Sequence, residues 1–152
     1  MRMSSINEPT IVAFKRPNQS TQSPVVLCID DDPQVSEVIS DRLYDYKVKL
    51  LSAFSGMQGL WLAATNQPDV IITDLLMPMG DGATIIECLK RNAKTASIPI
   101  IVLTAKRESG LLRRVKKIGA DSFLTKPILF NDLLEELRCF IKVQPKEEES
   151  VI

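Results

Sequence analysis

Short apolar runs alternate along this chain with segments whose apolar residues recur at helical spacing. The first run, Val25-Val26-Leu27-Cys28-Ile29, lacks polar alternation and therefore suits a strand buried on both faces. Pro33 then stands at a first helical position, and Val35, Val38, Ile39 and Leu43 share one apolar face behind it. A second strand is expected near Val48 to Ala53. The helix after it starts at Ser55, packs through Met57, Leu60, Trp61 and Ala64, and ends before Pro68. Asp69 to Thr73 reads as a third strand, followed by a loop with Pro78, Gly80 and Gly82 and a helix burying Ile85, Ile86 and Leu89. Ile100 to Leu103 gives a fourth strand. The next helix, around Leu111, Leu112, Val115 and Ile118, stops at the C-cap glycine Gly119. A fifth strand spans Asp121 to Leu124, and Leu133, Leu134, Leu137, Phe140 and Ile141 mark a last amphipathic helix.

Strands and helices that alternate in this way predict an α/β fold, a doubly wound sandwich with a central five-stranded parallel sheet, because right-handed crossovers place helices on both faces. Met1 to Ser23 are rich in Ser, Thr, Asn, Gln and Pro and bury little apart from Ile11-Val12-Ala13-Phe14, so a disordered leader is expected there. The domain proper is expected over residues 24–143. Residues 144–152, with the run Lys146-Glu147-Glu148-Glu149-Ser150, read as an acidic flexible tail.

The length of 152 residues suits one domain of this kind and leaves no room for a second catalytic one. Lys+Arg and Asp+Glu both number 19, so overall charge draws the chain neither to nucleic acid nor to an anionic membrane. No apolar run reaches the length of a membrane span, and Ile11 to Phe14 is too short for a signal peptide, so a cytoplasmic protein is expected. Cys28, Cys88 and Cys139 are far apart and flanked by apolar residues, which predicts buried thiols in a reducing compartment. Histidine is absent. That excludes a Ser-His-Asp triad, an imidazole base and a His-ligated zinc, and it means the chain cannot supply its own phosphohistidine.

Candidate chemistry collects at the C-terminal ends of the strands: Asp30-Asp31-Asp32 after the first, Asp74 after the third, Thr104 after the fourth, Lys126 after the fifth. In an open parallel sheet these ends share one edge, where ligands bind. Strands lie about 4.8 Å apart, so such side chains can converge on one small ligand. Crowded carboxylates repel unless a cation joins them, and hard oxygen donors without His or Cys suit Mg²⁺. A carboxylate can take a phosphoryl group when a metal and an ammonium offset the incoming charge. Lys126 offers the ammonium and Thr104 a hydroxyl donor. Asp32, just before Pro33, is better placed to cap the first helix.

These motifs together resemble the receiver domains of two-component response regulators, which work in histidine-to-aspartate phosphorelays. The matching residues, over about Val25 to Val143, are Asp30-Asp31 after an apolar strand, the run from Asp74 to Gly82, Leu103-Thr104-Ala105 and Thr125-Lys126-Pro127. The resemblance implies a flavodoxin-like (βα)5 fold with strand order 2-1-3-4-5. It makes Asp74 the phosphoacceptor and a metal residue, Asp31 a direct Mg²⁺ (or Mn²⁺) ligand, Asp30 an acid acting largely through water, and the Leu76 backbone carbonyl a further ligand. Thr104 would move to the phosphoryl group, Lys126 would pair with it, and small Ala105 would leave access. Phe123 would be the switch aromatic, apolar where the family often has Tyr. The implied partners are a sensor histidine kinase or histidine phosphotransfer protein and a downstream protein target. The chain would act as a phosphoacceptor, not as an enzyme on external substrates.

Two positions depart from common receiver patterns. Leu76, two residues after the acceptor, is apolar and cannot position an attacking water, and Lys106, two after Thr104, is long and cationic. Both are expected to tune phosphoryl lifetime, with Leu76 slowing its loss. Leu76 also argues against turnover of external substrates by an aspartate-nucleophile phosphatase of the haloacid dehalogenase type, which needs a second Asp there. Lys106, Arg107, Arg113, Arg114, Lys116 and Lys117 make the fourth helix and its approach basic, while Asp132, Glu135 and Glu136 make the last acidic. These are solvated faces first, and a dimer surface through the fourth and fifth helices second. The rival reading of the whole chain is a receiver-fold interaction module that works without phosphorylation.

Overall fold

The computed structural model describes residues 22–77, 80–105 and 109–148. In chain order the elements are β1 (Val25–Ile29), α1 (Pro33–Leu43), β2 (Lys49–Ala53), α2 (Gly56–Asn66), β3 (Val70–Asp74), β4 (Leu76–Met77), β5 (Gly80–Asp81), α3 (Gly82–Arg91), β6 (Ile100–Thr104), α4 (Ser109–Ile118), β7 (Ser122–Thr125) and α5 (Phe130–Arg138). Five of the strands form one sheet in the order β2-β1-β3-β6-β7, with every neighbouring pair parallel. The two-residue strands β4 and β5 form a separate antiparallel ribbon. With that ribbon set aside, the order is the expected 2-1-3-4-5 of a flavodoxin-like sandwich.

The continuous apolar runs follow from burial on both sides, since successive strand residues face opposite ways. Leu27, Ile29, Ile71, Ile100 and Val102 join one cluster with Ala63, Ile85, Ile86, Leu89 and Val115, closed by α2, α3 and α4. Val26, Cys28, Val70, Ile72, Ile101 and Leu103 join the other with Ile39, Leu43, Leu133, Leu134 and Leu137, closed by α1 and α5. Caps set the starts of two helices, Asp32 as the sequence suggests and Ser55 as the residue ahead of α2 rather than its first. Asp32 accepts from the Gln34 N–H at 3.0 Å, and Ser55 accepts from the Gln58 N–H at 3.1 Å. Gly119 ends α4 at φ 122°, a conformation that side chains disfavour.

Several expectations are corrected. Met57 and Trp61 are not packed: they stand 78% and 64% exposed. The buried face of α2 runs instead through Gly59 and Ala63. A Cβ at Gly59 would lie 2.5 Å from Ile29 Cδ1, so the helix sits close on β1 through a residue that carries no hydrophobic signal. Val38 is likewise exposed, because α1 buries Ser36 with Ile39 and Leu43, and the Ser36 hydroxyl bonds that of Ser52 at 2.5 Å. Of the thiols only Cys28 is buried, whereas Cys88 and Cys139 are exposed. Burial, partly offset by a hydrogen bond with Ser36, pushes the Cys28 thiol up to about 12, which leaves it protonated and inert at neutral pH. The last helix stops at Arg138, and Phe140 and Ile141 continue its apolar face from the turn beyond it.

The described part of the C-terminal segment is held down. The Lys47 N–H donates to the Gln144 carbonyl at 2.8 Å, the Lys146 N–H donates to the Asp45 carbonyl at 2.7 Å, and Tyr46 and Pro145 form an antiparallel bridge. The expected leader, apart from Gln22 and Ser23, lies outside the described residues, as do positions 149–152 of the expected tail.

The close approach at Gly59 gives a first prediction. Gly59→Ala should destabilise the protein by about 1–3 kcal/mol through overpacking, even though alanine favours a helix by about 1 kcal/mol over glycine. Urea unfolding measures it, and a raised midpoint would show that the contact with Ile29 yields freely.

Candidate functional site

Because β1, β3, β6 and β7 are parallel and adjacent, their C-terminal ends form one edge. Asp30 follows β1 and is anchored by its own N–H, which donates to the Ala53 carbonyl at 3.0 Å. Asp74 is the last residue of β3 and is paired with Leu103, so Thr104, the last of β6, lies one position further along. Thr104 is opposite Thr125 at the end of β7. The Lys126 N–H donates to the Thr104 carbonyl at 2.9 Å, which ties the start of the next loop to the end of β6. The Lys126-Pro127 peptide is cis.

The side chains converge. Lys126 Nζ lies 2.9 Å from Asp30 Oδ2 and 3.1 Å from Asp74 Oδ2. Each carboxylate keeps its other oxygen on backbone: Asp30 Oδ1 accepts from the Asp32 N–H at 2.9 Å, and Asp74 Oδ1 accepts from the Leu76 N–H at 3.2 Å. Asp30 and Asp74 are buried, 1% and 6% exposed, while Asp31 faces solvent. Burial alone would lower the Lys126 pKa, but its hydrogen bonds to Asp30 and Asp74, with their negative charges, outweigh burial and hold it above the ordinary lysine range. Lys126 is therefore a fixed positive charge between two acids.

Asp30, Asp31 and Asp74 each offer one oxygen, and these atoms all lie within 4.8 Å of one another. With oxygen donors alone, two buried and one open to water, the set fits a hard divalent cation. Lys126 offsets only part of the charge of three acids, which leaves an attraction for such an ion. Thr104 is buried next to this cluster, Phe123 is half-buried against the α2–α4 side of the core, and Ala105 is exposed. Leu76 projects its side chain into solvent at 66% exposure. Lys106 lies outside the described residues.

One residue of the site was read from sequence only as a loop glycine. A Cβ on Gly82 would fall 2.6 Å from Leu75 Cα and 2.7 Å from the Asp74 carbonyl oxygen. Its N–H donates to the Leu75 carbonyl at 3.1 Å. Only glycine lets the first turn of α3 lie against the backbone that carries Asp74. The signal was the glycine at the end of the Asp74 to Gly82 run, where a helix begins.

An open parallel sheet of this order, with acids and one lysine gathered on its C-terminal edge, defines a class. The chain belongs to the response regulator receiver domain family, which it matches over residues 26–138. Receiver domains are signalling domains of two-component systems. Among curated relatives, the DNA-binding dual master transcriptional regulator RpaA of Synechocystis is 36% identical over 119 residues, 78% of this chain and 49% of that protein. The chain spans about half the length of RpaA and of several other curated regulators it matches. Chemotaxis protein CheY4 of Vibrio cholerae superposes with a TM-score of 0.74 at 27% identity, over 78% of this chain and 98% of that one. The receiver domain of sensor histidine kinase PA1611 from Pseudomonas aeruginosa, solved with a magnesium ion in its active site cleft, shares the fold at a TM-score of 0.71 and 24% identity, covering 78% of this chain and 97% of its own.

The bridge made by Lys126 is open to test. In the presence of chelator, Lys126→Met should cost about 3 kcal/mol at neutral pH, the low end of the range for a broken buried pair, since it strands the Asp30 charge. A variant as stable as the parent in urea would show that the ammonium contributes nothing to holding the acids together.

Proposed function

We propose that this chain is a Mg²⁺-dependent phosphorylation switch in which Asp74 accepts a phosphoryl group from the phosphohistidine of a sensor histidine kinase or histidine phosphotransfer protein. The observation that carries this reading is the Asp74 carboxylate held at a strand end, bonded to Lys126 at 3.1 Å and flanked by Asp30 and Asp31. Asp30, Asp31, Asp74 and the Leu76 carbonyl would hold Mg²⁺ or Mn²⁺, which when bound offsets charge on the phosphoryl oxygens. The magnesium reported for the PA1611 receiver supports that choice.

In the transfer an Asp74 oxygen attacks phosphorus, the phosphorus–nitrogen bond of the donor breaks, and the imidazole leaves to take up a proton. The Leu76 N–H orients the carboxylate through Oδ1. Lys126 then passes from the carboxylate to a phosphoryl oxygen, and Thr104 donates its hydroxyl to another. Thr104 and Lys126 are held side by side by the bond from the Lys126 N–H to the Thr104 carbonyl. Ala105 leaves the approach open, and Phe123 turns inward as Thr104 shifts, a purely apolar coupling to partners. The exposed Arg113, Lys116 and Lys117 on α4 and Asp132 and Glu135 on α5 support pairing of two copies as one form of output. The other form of output is a downstream protein target.

Incubation with Mg²⁺ and acetyl phosphate should add one phosphoryl group by intact mass, and Asp74→Asn should abolish the increment. An unmodified parent chain would overturn the reading in favour of a phosphorylation-independent interaction module. Sedimentation of the same phosphorylated sample tests the pairing of copies, which an unchanged mass would reject.

Leu76 and Lys106, two residues after Asp74 and Thr104 in the sequence, are the lifetime-tuning positions of this reading, and Leu76 offers no group that could position water. The phosphorylated chain should therefore lose its label slowly, and Leu76→Asn should speed that loss by roughly tenfold, a barrier change of about 1.4 kcal/mol. Equal decay of the two chains would remove Leu76 from the account.

A further inference from the structure

Two features stand outside the phosphorylation chemistry. The first is α2. The sequence has no charged residue between Lys49 and Asp69, so this helix is neutral throughout. It packs inward through Gly59 and Ala63 and leaves Met57 and Trp61 one turn apart on its solvent side, with Phe54, 46% exposed, just ahead of them. The solvent faces of α1, α4 and α5 all carry charged residues. Scattered exposed apolar residues are ordinary, but an exposed Phe, Met and Trp within eight residues of an uncharged stretch of sequence form an apolar face suited to docking.

The second feature is the apolar segment Ile11-Val12-Ala13-Phe14, alone in a polar stretch of sequence. The fold places the point where that stretch joins the domain at the foot of α2. The Val25 N–H donates to Asp69 Oδ2 at 2.7 Å, and the Asp69 N–H donates to the Val25 carbonyl at 2.8 Å. β1 therefore begins beside the residue that closes the turn after α2. Trp61 lies roughly 7.5 Å up the helix from Asn66, and Met57 roughly 13.5 Å, at 1.5 Å per residue. The residues from Lys15 to Thr21 can span up to about 25 Å when extended.

We infer that Ile11–Phe14 docks within the same molecule on the α2 face formed by Phe54, Met57 and Trp61. A neutral apolar segment meets a neutral apolar face, while Lys15 and Arg16 remain at its margin. A second copy is a poorer occupant. Three side chains of this size bury roughly 450–750 Å² at most, short of the roughly 800 Å² per partner of a standard stable interface. A tethered segment needs no such area, because its effective concentration is on the order of millimolar.

Trp61 is the only tryptophan of the chain and reads its own burial. The full chain is compared with the double variant Ile11→Asp, Phe14→Asp, whose far-UV circular dichroism and unfolding confirm an intact domain. The parent should emit at shorter wavelength and be quenched by acrylamide roughly twofold less or better, as expected for a mostly docked tether, and equally so at low and high protein concentration. Identical emission and quenching in the two chains would overturn the inference. So would a blue shift that grows with concentration and survives in the variant, which would make a second copy the occupant.

Discussion

Three carboxylates at the edge of one sheet are the constraint on which this molecule is organised. Asp30, Asp31 and Asp74 stand close enough to repel one another, and two of them are shielded from water. The single ammonium of Lys126 holds the buried pair together from the far side of the strand order, β7 reaching across β6 to β3 and β1. That reach works because the strands are rigid and their apolar runs leave no freedom of register. An uncompensated remainder of negative charge stays at the site, and it is what makes a hard divalent cation complementary to it.

Most of the site was legible because its residues are chemically loud and occur at strand ends. Asp30, Asp74, Thr104 and Lys126 were found from the sequence by the ends of apolar runs, and the fold brings all four to one edge. Asp32 was separated from its neighbours by Pro33 alone. The features that escaped were silent ones. Gly82 and Gly59 act by what they lack, and no count of apolar residues registers a missing Cβ. The same silence misplaced Met57 and Trp61, since periodicity favoured the larger side chains over the glycine that governs the contact. Val38 was misplaced for a related reason: Ser36 is polar by composition but buried through its bond to Ser52.

Helices α2 and α4 also show how two kinds of surface serve a small domain. On α4 the basic residues are soluble whether or not anything binds them. On α2 the exposed Met57 and Trp61 are soluble only at a cost in hydrated apolar area. A surface of that kind gains apolar burial whenever a partner covers it.

The pairing of residues 45–47 with 144–146 brings together positions almost a full domain apart, as the Lys47–Glu147 ion pair with its separation of 100 residues shows. Closing so long a loop carries a large entropy cost for a few hydrogen bonds, and contacts of that kind form only after the intervening chain is in place. The seam therefore adds to the fold only once the sheet it borders is in place. It is also the first place where thermal fraying would open the chain, and its loss would expose the base of α5 before the sheet itself is disturbed.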